Sequence, residues 1–423
     1  MKCVLAVWCA ASLAGLFLAS AGPAGRRAGA GESSAPAAGG TEEDRKLFAE
    51  IKPLILQEGR KPPILLADTN EGYFWLMSAQ ITPLVRAYEY SKDPEFLEVF
   101  VPLMEQVLTQ RYIHPTKKEW NGWWHYKGFN VDNTFALIDH DTILYYVPVL
   151  LFAAEVRADP KLKEKYGAKA EAWFKDVEES IRAWDKRGCW HDLDEKTGWY
   201  SNTSEYPDKN TNELVKHTDI FAGGTVPYNK INAFYEALTL AYRLTGDDWY
   251  RVRMEKSAKF WRDRWREDDK HVEWNYRDHA FAGDYKSGVL GQGATLTGAF
   301  VHPKGGYYAL DLEGVVMDYD LGVLYQRADL EKLLKTNLEF MLFGDEKAPK
   351  FKMISGDYKE GGKYNKGYLW TALAHFSPKV RDLWKQQIDR DHGKAWLSWA
   401  AEIDYLTEVA QPVSWDRRDA KAP

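Results

Sequence analysis

Apolar residues recur at three- and four-residue spacing along most of the chain, which is the pattern of helices that each bury one face. The pattern begins near Glu42 and predicts helices at residues 74–88, 95–108, 142–156, 163–184, 231–242, 249–265, 312–326, 329–343, 369–374, 378–388 and 394–407. Alternating runs typical of strands are scarce. We therefore expect an all-α protein.

A short internal repeat joins these helices in pairs. Residues 87–96 (AYEYSKDPEF) align with residues 241–250 (AYRLTGDDWY), and residues 154–160 give a looser third copy. Each copy ends one helix, turns, and begins another helix that an Asp side chain can cap. Repeated hairpins must bury their apolar faces against neighbours, so the pattern predicts a closed ring, an (α/α) toroid of six or seven hairpins. This single domain would span residues 42–423.

Long connections rich in aromatic and polar residues separate the predicted helices at residues 117–141, 187–229, 271–306 and 344–368. Loops of this length are usually functional or disordered, and their Trp and Tyr content favours a function. We expect them to form a cleft at one end of the ring. The segment from His271 to His279 (HVEWNYRDH) sets two imidazoles, two carboxylates and a guanidinium beside a tryptophan, which suits the wall of a site for a polar ring-shaped ligand.

The first residues have the pattern of a secretory signal peptide. An apolar run from Val4 to Leu18 precedes the small residues Ala19-Ser20-Ala21, and residues 22–41 form a leader rich in Ala, Gly and Pro. We therefore expect cleavage after residue 21 and a secreted or periplasmic protein. No later run is long enough to span a membrane. Cys189 is the one cysteine left after cleavage, so no intrachain disulfide is expected.

Aromatic residues are unusually abundant, with 18 Trp and 24 Tyr among 423 residues. Many must fill the core, but six Trp residues stand among Gly, Asn, His and Lys, and flat rings with a polar edge are what sugars stack against. These residues are Trp120, Trp123, Trp124, Trp190, Trp199 and Trp274. The net charge of -6 argues against general binding to nucleic acid or anionic membranes. Composition therefore favours an exported carbohydrate-active protein.

The chain lacks the common signatures of zinc, phosphate and dinucleotide sites and of serine hydrolases. Asp139-His140-Asp141 is a weak candidate for metal binding, because such short runs are common. We predict no metal and no cofactor.

The chain resembles secreted polysaccharide lyases with an (α/α) toroid, especially polysaccharide lyase family 38, which cleaves glucuronan and alginate-like polyuronates. The resemblance rests on the repeat around residues 88–96, on His140-Asp141 before a helix, on Pro227-Tyr228-Asn229, on Trp274-Asn275-Tyr276 and on residues 302–311. It implies β-elimination on an acidic polysaccharide. In that reaction an amide or acid neutralises the sugar carboxylate, a Tyr or His removes a proton, and a Tyr returns one to the leaving oxygen.

The resemblance assigns a role to each of several residues. Asn229 would neutralise the carboxylate, His279 would act as base or carboxylate partner, and Tyr307 or Tyr308 would donate the proton. Arg277 would favour the phenolate, and Glu273 would orient a histidine or share a proton. Substrate contacts are predicted for Trp123, Trp124, His140, His217, Trp274, Asn275, His302 and Lys304.

Each assignment has a structural alternative. Asn229 could be an ordinary helix cap, His279 a hydrogen-bonded loop residue, the Tyr pair a packing element and Glu273 a solvated carboxylate. Three other functions also fit the chain. A glycoside hydrolase on the same toroid would use two carboxylates from Asp139, Asp141, Glu273 and Asp278. A uronate C5 epimerase or a noncatalytic glycan-binding protein would use the same fold.

Overall fold

The computed structural model describes residues 41–65, 72–127, 132–135, 138–216, 223–277, 304–345, 347–361, 364–394 and 397–409. The predicted signal peptide and almost all of the predicted leader lie outside these residues. Within the described ranges, no helix is long and apolar enough to cross a membrane.

Helices account for most of the described structure. Their bounds are α1 Glu42–Gly59, α2 Gly72–Ser91, α3 Pro94–Thr109, α4 Ile138–Asp141, α5 Val147–Ala158, α6 Pro160–Lys186, α7 Tyr228–Thr245, α8 Asp248–Arg262, α9 Gly306–Asp320, α10 Arg327–Lys335, α11 Pro378–Asp391 and α12 Ser398–Val409. A π-helical turn, Thr142–Tyr146, joins α4 to α5, and another, Thr336–Met341, extends α10. A short 3₁₀ turn covers Thr371–His375. The prediction of an all-α protein is confirmed.

The helices form two concentric rings. In the inner ring, α2 packs on α5, α5 on α7, α7 on α9, α9 on the 3₁₀ turn, that turn on α12, and α12 again on α2, so the ring closes. The outer helices α3, α6, α8 and α11 pack against inner neighbours, α1 covers α2 and α12, and α10 follows α9. The architecture is thus the predicted (α/α) toroid, and the helices of the described residues fill six inner and six outer positions.

The repeated turns behave as the sequence predicts. The side chains of Asp93, Asp159 and Asp247 accept hydrogen bonds from backbone N–H groups in the first turns of α3, α6 and α8 at 3.0, 2.8 and 2.9 Å. Gly246 ends α7 with φ 69°, and Lys92, at the equivalent place after α2, has φ 57°. Each turn reverses the chain from the inner ring to the outer ring within one or two residues.

The long connections contain small antiparallel hairpins that the sequence pattern did not predict. The strands are β1 Tyr112–Ile113, β2 Asn121–Gly122, β3 Trp124–Lys127, β4 Asp132–Phe135, β5 Trp190–Asp192, β6 Gly198–Tyr200, β7 Glu205–Pro207, β8 Leu214–Lys216, β9 Arg266–Glu267, β10 Val272–Glu273, β11 Leu342–Asp345 and β12 Ala348–Phe351. Consecutive strands pair with each other. All of them lie in connections that lead from an outer helix to the amino-terminal end of an inner one, so that end of the ring carries the elaborated surface.

A buried polar network occupies the axis deeper in the ring. The Arg86 guanidinium on α2 lies 2.9 Å from the Glu89 carboxylate and 3.4 Å from that of Glu236 on α7. His375 lies 2.6 Å from Glu408 on α12. Burial raises the pKa of Glu236 to about 8, against the opposing effect of the Arg86 charge. These contacts tie helices of the inner ring together across the axis.

Two glycine substitutions should have opposite effects on stability. Gly246→Ala should lower the free energy of unfolding by about 1 kcal/mol, because a Cβ there meets no atom but the positive φ disfavours any side chain. Gly167→Ala, inside α6 with only Lys163 Cγ 3.4 Å from the new Cβ, should raise it by about 0.5–1 kcal/mol. Chemical denaturation of the two variants measures both changes, and equal destabilisation would contradict this interpretation.

Candidate functional site

The amino-terminal ends of the inner helices meet where the long connections gather. Helix α4 starts at Ile138, α7 at Tyr228 and α9 at Gly306. A backbone hydrogen bond from Tyr228 to the Tyr276 carbonyl (3.1 Å) ties the aromatic loop after β10 to the start of α7. Helix amino-terminal ends carry partial positive charge, which favours anionic groups there.

Two side chains of α4 border the axis of the ring. The His140 ring stacks on Phe74 of α2, the preceding inner helix, with centroids 4.4 Å apart. Asp139 pairs with Lys230 of α7, the following inner helix, at 3.2 Å. Because successive residues turn about 100° on a helix, Ile143 projects between these two directions, and it is partly exposed. The face between Asp139 and His140 therefore points towards the axis.

The Asp139 carboxyl group stays ionised despite its burial. Burial alone would raise its pKa, but the Lys230 ammonium and the neighbouring imidazole outweigh that effect and lower the pKa below its usual value. Asp139 is 1% exposed, whereas the Lys230 side chain is 18% exposed. The ion pair thus lies at the boundary between the accessible part of the ring and the packed helices.

His140 is neutral at neutral pH. Burial is the main cause and lowers the pKa of its imidazole to about 4. The negative charge of Asp139 raises this pKa, but the positive charge of Lys230 lowers it and opposes that effect. An ionised carboxylate therefore stands beside an uncharged imidazole. Such a pair can accept a proton or orient a polar substrate group.

Asp141 lies on the opposite side of α4, between the two rings. Burial raises the pKa of its carboxyl group to about 7, against the opposing charges of Arg187 and Arg111. Both guanidiniums belong to the packing under the β1–β2 connection, where Arg187 donates to the Glu119 and Asn121 carbonyls. Asp141 therefore faces structural groups rather than the axis.

Helix α9 also carries carboxyl groups on two different faces. Asp311 accepts hydrogen bonds from the Trp274 indole (2.7 Å) and the Asn232 amide (3.4 Å), and burial raises its pKa to about 8. Glu313 lies about 200° further around the helix. It is buried, with 8% exposure, on the side of the helix that also carries partly exposed Leu310 and away from the face that contacts Trp274. We infer that Glu313, rather than Asp311, faces the axis.

Asn229 lies in the first turn of α7, beside Lys230, but it is not the cap of that helix. The cap position belongs to Pro227. The Asn229 side chain is buried, and its amide oxygen has no hydrogen-bond partner among the described residues. Asn229 therefore lies at the amino-terminal end of an inner helix, and the structural alternative of a cap is wrong.

The three tryptophans predicted to stack on sugars are buried in the protein. The Trp123 indole donates to the Val107 carbonyl at 3.2 Å, and Trp124 packs edge-on against Tyr112 and Tyr206. Trp274 is fully buried beneath a cluster formed by Trp261, Trp265, Tyr308 and Trp370. These rings position the loops and inner helices rather than lining an open surface.

The remaining predicted residues of the aromatic loop divide into two groups. Glu273 pairs with Arg266 at 3.1 Å, and the same guanidinium donates to Asn275 at 2.9 Å, so both side chains hold the β9–β10 hairpin. Arg277 is buried. Tyr307, in contrast, is partly exposed at the start of α9, stacks on Tyr276 and accepts a hydrogen bond from Lys304 at 3.1 Å.

Three predicted histidines, His217, His279 and His302, lie outside the described residues, as does Asp278. Of the other candidates, the structure brings Asn229 and His140 together with Asp139 and Lys230 at the amino-terminal ends of α4 and α7. The sequence pattern pointed to Asp139 only as a weak metal candidate and as one of four possible hydrolase carboxylates, and it did not point to Lys230. The described residues contain no group of three or more His, Cys, Asp or Glu side chains suited to a metal ion.

Comparisons with known proteins return one similar structure. No family model and no curated protein matches the chain. The solved structure is an inactive variant of the α-1,6-mannanase GH76A of Salegentibacter sp. HEL1_6 in complex with α-1,6-mannotriose. It is 10% identical, with a TM-score of 0.47, and the match covers 86% of this chain and 99% of that chain.

The predicted resemblance to polysaccharide lyase family 38 is therefore corrected. The similar structure is a mannanase, a glycoside hydrolase, which contradicts the expected lyase activity on glucuronan or alginate. The contacts of two expected catalytic residues are also unsuited to that role. Tyr308 is 1% exposed behind Trp274, and Glu273 is paired with Arg266.

Acidification should destabilise the fold partly through His140. Its pKa is about 6.5 when unfolded and about 4 when folded, so between these values the unfolded chain binds the extra proton and stability falls as pH falls. His140→Gln should remove this dependence. Relative to wild type, the variant should gain up to about 3 kcal/mol between pH 7 and pH 4. Urea unfolding at several pH values measures the difference, and parallel curves would disprove a neutral His140.

Proposed function

We propose that this protein is a glycoside hydrolase that cleaves a polysaccharide at the amino-terminal end of the toroid axis. The single observation that carries the proposal is the buried but ionised Asp139, which Lys230 holds beside the axis. Retaining an unprotonated carboxylate in a desolvated place costs free energy, and such groups concentrate at functional sites. We also propose that the protein is exported, as its first 21 residues indicate.

Asp139 is proposed as the group that acts at the anomeric carbon. An ionised carboxylate can accept a proton from an attacking water molecule or bond directly to that carbon. The neutral His140 imidazole and the Asn229 amide lie on the same or the adjacent inner helix, and both suit hydrogen bonding to sugar hydroxyl groups. Lys230 is proposed as a positioning residue that sustains the charge of Asp139.

Glu313 is proposed as the proton donor. Helix α7 packs on α4 at one side and on α9 at the other. Asp139 on α4 and Glu313 on α9 therefore approach the axis from the two helices that flank α7. Glycoside hydrolysis requires two carboxyl groups with different roles on either side of the scissile bond. Glu313 protonates the glycosidic oxygen as its bond to carbon breaks, and water supplies a hydroxyl group to carbon and a proton to the base.

The substrate is proposed to be a polysaccharide. The elaborated connections gather at a single end of the ring, and partly exposed Tyr307 and Trp75 offer ring surfaces near the starts of α9 and α2. A screen should include α-1,6-mannan, sulfated and carboxylated glycans, and neutral glucans. Cleavage is measured as new reducing ends, and incorporation of labelled oxygen from water identifies hydrolysis.

Removing either proposed carboxyl group should abolish most turnover. Asp139→Asn and Glu313→Gln should each lower kcat by about 100-fold or more, because a positioned acid or base contributes on the order of 100- to 10,000-fold. The measurement is the rate of reducing-end formation on the polysaccharide that the screen identifies. Circular dichroism and thermal unfolding confirm that the variants fold.

Matched controls exist on the same helices. Asp141→Asn changes a carboxyl group two residues along α4 that faces the space between the rings, and Asp311→Asn changes one that bonds Trp274 behind α9. Both variants should keep kcat within about threefold of wild type if they fold, since neither side chain borders the axis. Full activity of Asp139→Asn, or equal losses in all four variants, would contradict the assignment.

A further inference from the structure

A basic and aromatic groove lies outside the ring axis, beside the mouth of the proposed site. It encloses about 560 Å³ between the β11–β12 hairpin, the segment of residues 366–369 and helix α11. Four cationic side chains line it, against one carboxylate, Asp391. These cations are Lys350, Lys366, Arg390 and Lys394. Since the chain as a whole has a net charge of -6, this local excess of positive charge departs from the average surface.

Two of the four cations form direct ion pairs with nearby carboxylates, and the other two do not. Lys350 pairs with Glu360 at 2.9 Å, and Arg390 pairs with Asp391 at 3.1 Å. Lys366 and Lys394 line the groove and form no direct ion pair in the part of the chain that the structure describes, although the Lys366 charge also acts on Glu360. Two ammonium groups are thus available to an incoming anion.

Aromatic side chains form the rest of the lining. Phe351, Tyr358 and Tyr368 border the same groove, and the Tyr358 ring is held edge-on by Phe343 with centroids 4.7 Å apart. Cationic groups alternating with rings suit a chain of anionic sugars, because the ammonium groups pair with the anions while the rings contact the apolar faces of the sugars.

The groove lies next to the region of the proposed site. Its floor, around Lys366 and Gly367, bridges to Lys304 just before α9, and a Cβ on Gly305 would lie 2.2 Å from the Lys366 carbonyl oxygen. Gly367 donates a backbone hydrogen bond to Phe351 at 2.8 Å, which fixes the floor to the hairpin. The floor segment therefore packs directly against the residues that begin the helix carrying Glu313, so the groove and the start of that helix are neighbours.

We propose that this groove binds an anionic segment of a polysaccharide that extends from the axial site. This inference rests on the proposed function, because the rest of the polysaccharide would occupy the axial site. Binding in the groove can nevertheless be measured without cleavage. The recognised chemistry is a sugar chain that carries repeated anionic groups, with Lys366 and Lys394 as the main contacts.

The test compares dextran, carboxymethyl dextran and dextran sulfate of equal length with the full-length mature protein, by calorimetric titration at low salt. Wild type should bind at least one anionic dextran, and uncharged dextran at least tenfold more weakly. Combining Lys366→Gln with Lys394→Gln should weaken anionic binding about tenfold or more, equivalent to about 1.4 kcal/mol. Either anionic dextran supports the proposal, and a preference between them identifies the carboxylate or sulfate.

The control removes the same charge elsewhere. Lys161→Gln with Lys175→Gln on the exposed face of α6 should change affinity by less than about threefold, since these residues lie outside the groove. Equal weakening by both pairs of substitutions would overturn the proposal, because the overall charge of the protein rather than the groove would then attract the polymer. Equal binding of charged and uncharged dextran would also overturn it, as would no binding of either anionic polymer. None of these outcomes depends on hydrolysis, so a failure here is distinct from a failure of the Asp139 and Glu313 variants.

Discussion

The ion pair between Asp139 and Lys230 is the interaction on which the functional interpretation depends. Burial of a carboxylate without a partner would raise its pKa, so that it would be protonated at neutral pH. A neutral acid at this position could serve neither as base nor as nucleophile. Lys230 compensates because α7 begins next to α4 in the inner ring, which brings two residues distant in sequence within 3.2 Å. Ring closure therefore produces the charge state on which the proposed chemistry relies.

The ring also explains why so many polar groups are buried. The inner helices of the described part of the chain surround one axis, so each of them presents one face to the axis and another to the outer ring. Polar residues on the axial face either pair across the ring, as Arg86 does with Glu236, or remain near the mouth, as Asp139 and Glu313 do. The same chemical group consequently has different roles on opposite faces of one helix, as Asp139 and Asp141 illustrate.

Much of the fold follows from local sequence signals. The apolar spacing located the helices, and the Asp caps at positions 93, 159 and 247 fixed where outer helices begin, because a capping carboxylate acts on N–H groups only two or three residues away. The hairpins were missed since their strands are two to four residues long and lack a clear alternation.

The site was harder to predict for a physical reason. Trp274 stands among polar residues in the sequence, which favoured a sugar platform, yet its indole bonds Asp311 and its ring is enclosed by residues from α8, α9 and the 366–370 segment. Those contacts join residues that are distant in sequence, so the local sequence pattern does not predict them. The importance of Asp139 likewise depends on Lys230, and only the closed ring brings the two residues together.

A crystal structure of the Asp139→Asn variant with an oligosaccharide from the cleaved polymer would show whether Asp139 acts at the scissile bond. We expect the sugar chain to cross the axis with position 139 facing an anomeric carbon and the Glu313 carboxyl group within about 3 Å of the glycosidic oxygen. An oligosaccharide bound away from both residues would contradict the account.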